Sequence, residues 1–587
     1  MSSKSRRKTS GPRKIEIETP PREAGKASQV PSSWKWWGGG IVLAFLAALA
    51  AYAPALHGAF VFDDEHMPFA APNAANFPLG VWTGARPLVG ITYWLNYRMG
   101  GQQPFWYHLT SLILHSIVAL FVFLIVRKIL EFAAIPRNRG LVTAAFCGLL
   151  FLLHPLQTEA VSYISSRSEN LSLALAFAAW VVFLYRPEGP IRWLRVFAVL
   201  VLFGAGAASK EHVAVLPAIL LLTDYYWNPG FSFAGIRKNW RLYGVMAAGA
   251  VAAGAFFISY LRIEQTIGFH MKQFTWYQYF FTQCRVLWMY MRLFVLPIGQ
   301  CADYFIAVSR TPFEHGAIFA MIALLAAVVA AFVWRKRYPI ASYGFFVALL
   351  FFAPTSSIVP IKDLAAERRV YLPMIGLLLV CAEFAVRSKV KDWRLASALA
   401  AILLVFGIVT WNRNQVWAGP LPFWADVVEK APEQDRAHLG LGIQYYQAHR
   451  CNDAVHQLEL LDGHALDDQA GYLSDYALAL ECAGREKDAI KVGAQAMRLR
   501  PDAASFAYQA LLVAKAGDVP GAMELLDRAE RANGNYIPTF IERGDILLAT
   551  GATEAALEQF KRALTIDPHN PSALRAIAMI TQGSRAH

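Results

Sequence analysis

The sequence predicts an all-α protein in two parts, a polytopic membrane bundle followed by a helical solenoid. Three observations predict it. The 587 residues are 56% hydrophobic, with a mean hydropathy of +0.34, which fits many buried spans better than one large soluble core. Apolar runs long enough to cross a bilayer recur between residues 37 and 411. From about residue 437 they give way to helix pairs at a regular period. Charge divides the same way. From Gly419 onward there are 16 Lys+Arg and 23 Asp+Glu, a net −7, so the preceding residues carry +20 of an overall +13. Those basic residues cluster at the ends of apolar runs. The positive-inside rule accounts for that placement, and nucleic-acid binding does not.

The tail 1–36 opens with "MSSKSRRKTSGPRK" and reads as disordered and cytoplasmic. The following run contains the small-x-small triplet Ala51-Tyr52-Ala53. The long tail nevertheless favours an uncleaved anchor over a secretory signal. Eleven spans are expected, at about 37–56, 105–126, 140–154, 168–185, 195–208, 212–226, 242–261, 313–334, 340–354, 370–386 and 395–411. Arg127, Lys128, Arg137 and Arg139 follow the second, and Arg335, Lys336 and Arg337 the eighth. Every second loop is basic in this way, which puts the N-terminus inside. An odd number of spans then puts the C-terminal part outside.

The outer loops collect charge of both signs. "FVFDDEHMPF" contributes Asp63, Asp64 and Glu65, and "ARPLVGITYWLNYRMGG" contributes Arg86. Glu159 and Arg167 stand in "HPLQTEAVSYISSRSEN", Lys210 and Glu211 in "SKEH", and Glu367, Arg368 and Arg369 in "AERRVY". Charges at span ends need water, a partner or a ligand. The structural expectation is ion pairing, with Lys210–Glu211 and Glu367–Arg368 as the adjacent candidates. The chemical expectation is a carboxylate that takes a proton from a hydroxyl beside cations that hold a phosphate. Together these suit direct displacement at a sugar carbon with a lipid phosphate leaving. No His/Asp spacing indicates a metal. His154 reads as a boundary hydrogen-bonder. Six cysteines are too few for a disulfide framework, and Cys451 and Cys482 are expected as buried free thiols, able to pair only outside the cytoplasm.

The C-terminal pattern has a period near 34. Ala489, Ala496 and Pro501 recur 67 residues later as Ala556, Ala563 and Pro568. This is the pattern of tetratricopeptide repeats, about four of them, with small residues where paired helices approach. The domain division expected is a tail 1–36, a membrane domain 37–411, a linker and first helix 412–436, and repeats 437–587.

Taken in order, "FVFDDEHMPF", "HPLQTEAVSYISSRSENLSLALAFAAW", "ASKEHVAVLPAILLLTDYY", "AERRVYLPMIGLLLV" and "NRNQVWAGPLPFWADVVEKAPEQDRAHLGLG" resemble the transmembrane and tetratricopeptide-repeat O-glycosyltransferases. That family belongs to the C-type (GT-C) membrane glycosyltransferases, with the protein O-mannosyltransferases. The resemblance covers about residues 37–575. It implies a GT-C bundle and an inverting transfer of sugar from a polyprenyl-phosphate donor to Ser or Thr of exported proteins. The repeats would meet the acceptor, and membrane lipids would surround the bundle. It makes Asp63 the base and Asp64 its neighbour, with Asp64-Glu65 as the alternative frame. It carries donor-phosphate binding to Arg167, Lys210 and Arg368, supported by Glu159, Glu211, Glu367, Arg369 and Arg86. A divalent metal is used by some GT-C enzymes, and the mannosyltransferase branch is not expected to need one. A bacterial inner membrane, with the N-terminus cytoplasmic and the repeats periplasmic, is the expected setting. A membrane-anchored repeat scaffold and a lipid-linked sugar transporter are the alternatives. Eleven spans are excessive for an anchor, and a transporter would carry polar groups near mid-membrane.

Overall fold

A computed structural model of the chain describes residues 34–71, 73–261, 268, 273–568 and 570–583. The expected disordered tail lies outside these residues as far as residue 33. The described residues up to Phe45 form one unit and those from Leu46 onward another.

Every regular element among the described residues is helical, and a helix overlaps each of the eleven apolar segments. Five are long and apolar enough to cross a membrane alone: Gly38–Leu56, Pro104–Phe132, Ile164–Leu184, Glu314–Val333 and Asp392–Asn414. A sixth arises if Arg137–Leu153 and Pro155–Ser162, bent by 51°, act as one broken span. The break falls at His154-Pro155, where the proline cannot continue the helix ladder. His154 satisfies the broken turn: Nδ1 accepts the Leu156 N–H at 3.2 Å and Nε2 donates to the Phe294 carbonyl at 2.9 Å. The chain is thus a multi-pass membrane protein with five or six candidate spans among the described residues and a repeat-like helical region.

Packing follows residue size. The helices Pro339–Phe352 and Met374–Arg387 cross at Gly344 and Gly376, where a Cβ on either would strike the other's backbone carbonyl. Small residues permit this approach in the absence of a strong hydrophobic driving force between spans. By contrast, Phe319, Ile322, Leu325 and Val329 on Glu314–Val333 are exposed, an apolar surface that lipid would cover.

One helix was not expected. Trp276–Val295 lies in what the sequence reads as the long outer loop after residue 261. Arg285, Arg292, Gln278 and Gln283 depress its hydropathy, yet Tyr279, Thr282, Gln283, Val286, Tyr290 and Leu293 recur at helical spacing and are buried. A period of about 3.6 residues was present without a continuous apolar run.

Beyond Asp392–Asn414 comes the helix Pro420–Lys430, then four hairpins and a last helix. The hairpins pair Asp435–Gln447 with Cys451–Glu459, Gln469–Cys482 with Glu486–Leu499, Ala503–Lys515 with Val519–Ala532, and Ile537–Ala549 with Thr553–Ile566. Ala489, Ala496, Ala556 and Ala563 are all buried where the paired helices meet. Cys451 and Cys482 are joined in a disulfide, with Cα atoms 5.4 Å apart and a sequence separation of 31, which corrects the expectation of free thiols. The separation is close to one repeat length, so repeat stacking brings the start of one helix against the end of the next first helix. Denatured protein is expected to label at four thiols without reductant (Cys147, Cys284, Cys301 and Cys381) and at six after reduction. Cys451→Ser should cost the repeats about 2–4 kcal/mol, read as a lower urea midpoint.

Candidate functional site

The acid loop is a 3-10 turn, Phe62–His66, entered through Phe62 at φ +55°. A bulky residue rarely occupies that left-handed region, and its surroundings hold it there. The Phe62 ring centroid lies 6.0 Å from that of Tyr163, 6.1 Å from Phe423 and 5.6 Å from Trp424. The Arg436 guanidinium stands 4.9 Å over it. Trp424 belongs to Pro420–Lys430 and Arg436 to the first hairpin, so the soluble region is part of the loop's support. Arg436 is fixed by a bidentate pair with Asp303 at 2.7 and 2.6 Å.

This turn sends Asp63 and Asp64 to opposite environments. Asp63 is exposed, and its backbone N–H donates to the Tyr163 hydroxyl at 3.2 Å. Asp64 is fully buried. Its carboxyl accepts the Ser165 N–H at 2.7 Å, the Ser165 hydroxyl at 2.5 Å and the Ile164 N–H at 3.4 Å. Asp64 therefore ties the loop after Trp34–Leu56 to the segment that precedes Arg167–Leu184. Glu65 is exposed. Burial pushes the Asp64 carboxyl up to about 7, against the pull of its Ser165, Val61 and Ile164 hydrogen bonds. A carboxyl raised on folding stabilises the fold below its ordinary range near 4 and loses that contribution as pH rises through about 7. Backbone amides of 60–69, corrected for intrinsic exchange, should be protected about tenfold less at pH 8 than at pH 5.5. Asp64→Asn should flatten that dependence.

The cations divide as well. Arg368 pairs with buried Glu159 through both its backbone N–H, at 2.9 Å, and its guanidinium, and reaches Asp363 at 3.7 Å. Lys210 pairs with Glu169, to which His212 Nε2 also comes within 3.1 Å. Arg86 and Glu211 meet at 3.3 Å. The adjacent pairs expected from sequence do not form. Lys210 and Glu211 straddle the start of a short 3-10 turn, and Glu367 and Arg368 are the first two residues of another, so consecutive side chains diverge. The three cations nonetheless converge: Lys210 senses Arg86 and Arg368, and Tyr163 senses Asp63, Asp64 and Arg368. Burial, partly offset by Glu169, lowers the Lys210 ammonium from its usual value.

Three of the expected residues stand apart from this open group. Arg167 is fully buried, its guanidinium donating to Ser111 Oγ at 3.4 Å, Thr92 Oγ1 at 3.2 Å, Asn96 Oδ1 at 2.6 Å and the Tyr107 carbonyl at 2.8 Å, and it lies 4.5 Å from the Tyr93 ring. Its donors are used on neutral partners, and it lies within electrostatic reach of Asp64. Arg369 spends its guanidinium on Tyr279 and on the carbonyls of Thr355, Leu364 and Asp363. Glu367 is buried against Gln300 at 2.6 Å and the Tyr304 hydroxyl at 2.8 Å, and burial pushes its carboxyl up to about 7.

Sequence reading did not assign Tyr163, Glu169, His212 or Arg436. The first two stand in "SYISSRSEN" and His212 in "SKEH", motifs already singled out. Arg436 gave no local signal, because its role depends on the solenoid folding back over Phe62. Among the described residues, no group of three or more His, Cys, Asp or Glu converges in a way that could hold a metal.

Fold and site together define a multi-pass membrane protein with a charged site at the ends of its spans, buttressed by the helices that open the repeats. Its relatives are consistent with that class. No protein-family model matches the chain. It is 23% identical over 444 residues to a protein O-mannosyl-transferase of Caenorhabditis elegans, covering 72% of this chain and 61% of that protein. It is 22% identical over 572 residues to the protein O-mannosyl-transferase TMTC3 of Mus musculus, covering 84% of this chain and 58% of that protein. A shorter stretch of 154 residues, 23% of this chain, is 32% identical to the protein O-mannosyl-transferase Tmtc1 of Drosophila melanogaster, of which it covers 17%. The chain thus spans about three fifths of the length of the first two relatives. It is distantly homologous to the TMTC protein O-mannosyl-transferases. Among solved structures, YrrB, a TPR protein with an unusual peptide-binding site, aligns over 31% of this chain and 89% of its own, at 19% identity and a TM-score of 0.22.

Proposed function

We propose that the chain is a membrane glycosyltransferase of the GT-C type, moving a sugar from a polyprenyl-phosphate donor to Ser or Thr hydroxyls of exported proteins. The observation that carries this reading is the exposed Asp63 carboxylate beside the hydroxyl of Tyr163, which also senses Arg368, next to Lys210 and Arg86. The acceptor oxygen attacks the anomeric carbon as the carbon–phosphate oxygen bond breaks. Asp63 takes the hydroxyl proton, and the phosphate leaves with the bonding electrons toward Arg368, Lys210 and Arg86. Inversion follows from the single displacement. Glu159, Glu211 and Glu367 hold the cations and loops in register, while Arg167 and Arg369 brace the loops from behind.

The remaining assignments belong to the same proposal. The eleven helical segments form the GT-C bundle of residues 37–411, and residues 412–436 lead into the repeats of 437–587. The N-terminus is cytoplasmic and the repeats face the periplasm of a bacterial inner membrane. The Cys451–Cys482 disulfide supports that side, since such bonds persist in oxidising compartments. The distant homology supports protein O-glycosyl transfer.

The test is direct. Membranes carrying the chain are given mannose and other hexoses on polyprenyl phosphate, together with an extract of exported proteins. A hexose-sized mass gain on Ser or Thr, absent without the chain, is the expected result. No transfer from any donor, with glycans on exported proteins unchanged on deletion, would sink the reading and favour a scaffold.

A further inference from the structure

The first helices of the repeats carry a second cluster that the charged site does not use. The first helices of the four hairpins pack side by side, and each sends a polar side chain toward one place. Tyr446 comes from the first, Glu481 from the second, Tyr508 and Lys515 from the third, and Glu542 from the fourth, with Tyr536 immediately before it. Tyr446 senses Glu481, Lys515, Glu542 and Tyr508. Tyr536 hydrogen-bonds Tyr508 and senses Glu542. A residue of the first hairpin thus lies within electrostatic reach of one in the fourth, across the row of packed first helices.

The charges there do not balance. Lys515 Nζ donates to Glu481 at 2.7 Å, which neutralises that pair. The Glu542 carboxylate makes no hydrogen bond or ion pair among the described residues. It is half-buried, and burial and the nearby Asp545 push it up to about 7 against the pull of Lys515. Such a carboxyl, within reach of the Tyr446 and Tyr536 phenols, has no ion-pair partner of its own among the described residues. Phenol faces attract cations, and more strongly as water is excluded.

We propose that this cluster binds the Lys or Arg side chain of an extended polypeptide segment, with Tyr446, Tyr508 and Tyr536 around the cation and Glu542 paired to it. A row of parallel helices in stacked repeats is shaped for an extended chain. The net charge of −7 from Gly419 onward repels nucleic acid and anionic lipid. As a device for choosing acceptors, this site rests on the glycosyl-transfer reading. As a binding site it does not, and its test measures binding alone.

Full-length protein in nanodiscs is titrated, by fluorescence anisotropy, into short labelled Ser/Ala peptides with one central Lys, norleucine or Glu. The Lys peptide should bind about tenfold more tightly than the norleucine peptide, and the Glu peptide most weakly. Glu542→Gln should remove most of that preference, Lys515→Gln should widen it, and thermal melting should be unchanged in both. Tyr508→Ser, at an exposed ring, should weaken all peptides and the Lys peptide most. Equal binding of Lys and norleucine peptides, tighter binding of the Glu peptide, or an undiminished preference in Glu542→Gln would overturn the proposal, whether or not the chain transfers sugar.

Discussion

Asp63→Asn is expected to insert, fold and bind donor as the parent chain does, yet transfer about 10²–10⁴-fold more slowly, the usual contribution of a positioned general base. The side chain is exposed, and the backbone N–H donates to the Tyr163 hydroxyl, a bond the substitution leaves in place; the side chain also accepts from that hydroxyl, and asparagine keeps an acceptor oxygen for it. The phosphate cations lie on other loops, so the loss should fall on kcat with the donor KM little changed. Asp64 gives the contrast. Asp64→Ala strands the Ser165 N–H and hydroxyl in a part-buried site, at about 1–3 kcal/mol for each orphaned group, and should loosen both loops that it joins. Asp64→Asn keeps an acceptor oxygen and should retain the fold. If Asp64→Asn folds normally and abolishes transfer while Asp63→Asn remains active, the base is Asp64 and the acid frame shifts by one residue. Single-turnover transfer, with donor binding measured separately, distinguishes these outcomes.

These two aspartates also mark where sequence reading stops. Composition and charge alternation place both at a span end, because hydropathy and loop charge are local quantities. The helix Trp276–Val295 was legible in principle, but its signal was periodicity rather than hydropathy. What sequence could not resolve is direction. Asp63 and Asp64 are adjacent, yet Phe62 at φ +55° turns one outward and the other into Ser165. The same limit broke the adjacent ion pairs: Lys210 meets Glu169 and Arg368 meets Glu159, partners 41 and 209 residues away. The charge of Arg167 was visible in the sequence, and its neutral partners Ser111, Thr92 and Asn96 were not. Arg436 and the Cys451–Cys482 bond depend on how the solenoid stacks, which no single stretch encodes.

Arg368 is where a structural and a chemical role must be separated. Arg368→Ala leaves Glu159, 1% exposed, without its counter-ion. An unpaired buried carboxylate costs about 3–5 kcal/mol, so that variant should be poorly folded, and its inactivity alone would prove nothing. The pair Glu159→Gln/Arg368→Gln removes both charges together. Replacing both members of a buried pair is often nearly neutral, so thermal stability should return to within about 1 kcal/mol of the parent. If Arg368 only braces Glu159, transfer should return with the fold. If it also receives the leaving phosphate, as proposed, the double variant should be folded but at least about a hundredfold slower, with weakened donor binding. Arg368→Lys, which keeps charge but loses the planar fork, should lie between. Full activity in the folded double variant would remove Arg368 from the donor site and leave Lys210 and Arg86 to carry it.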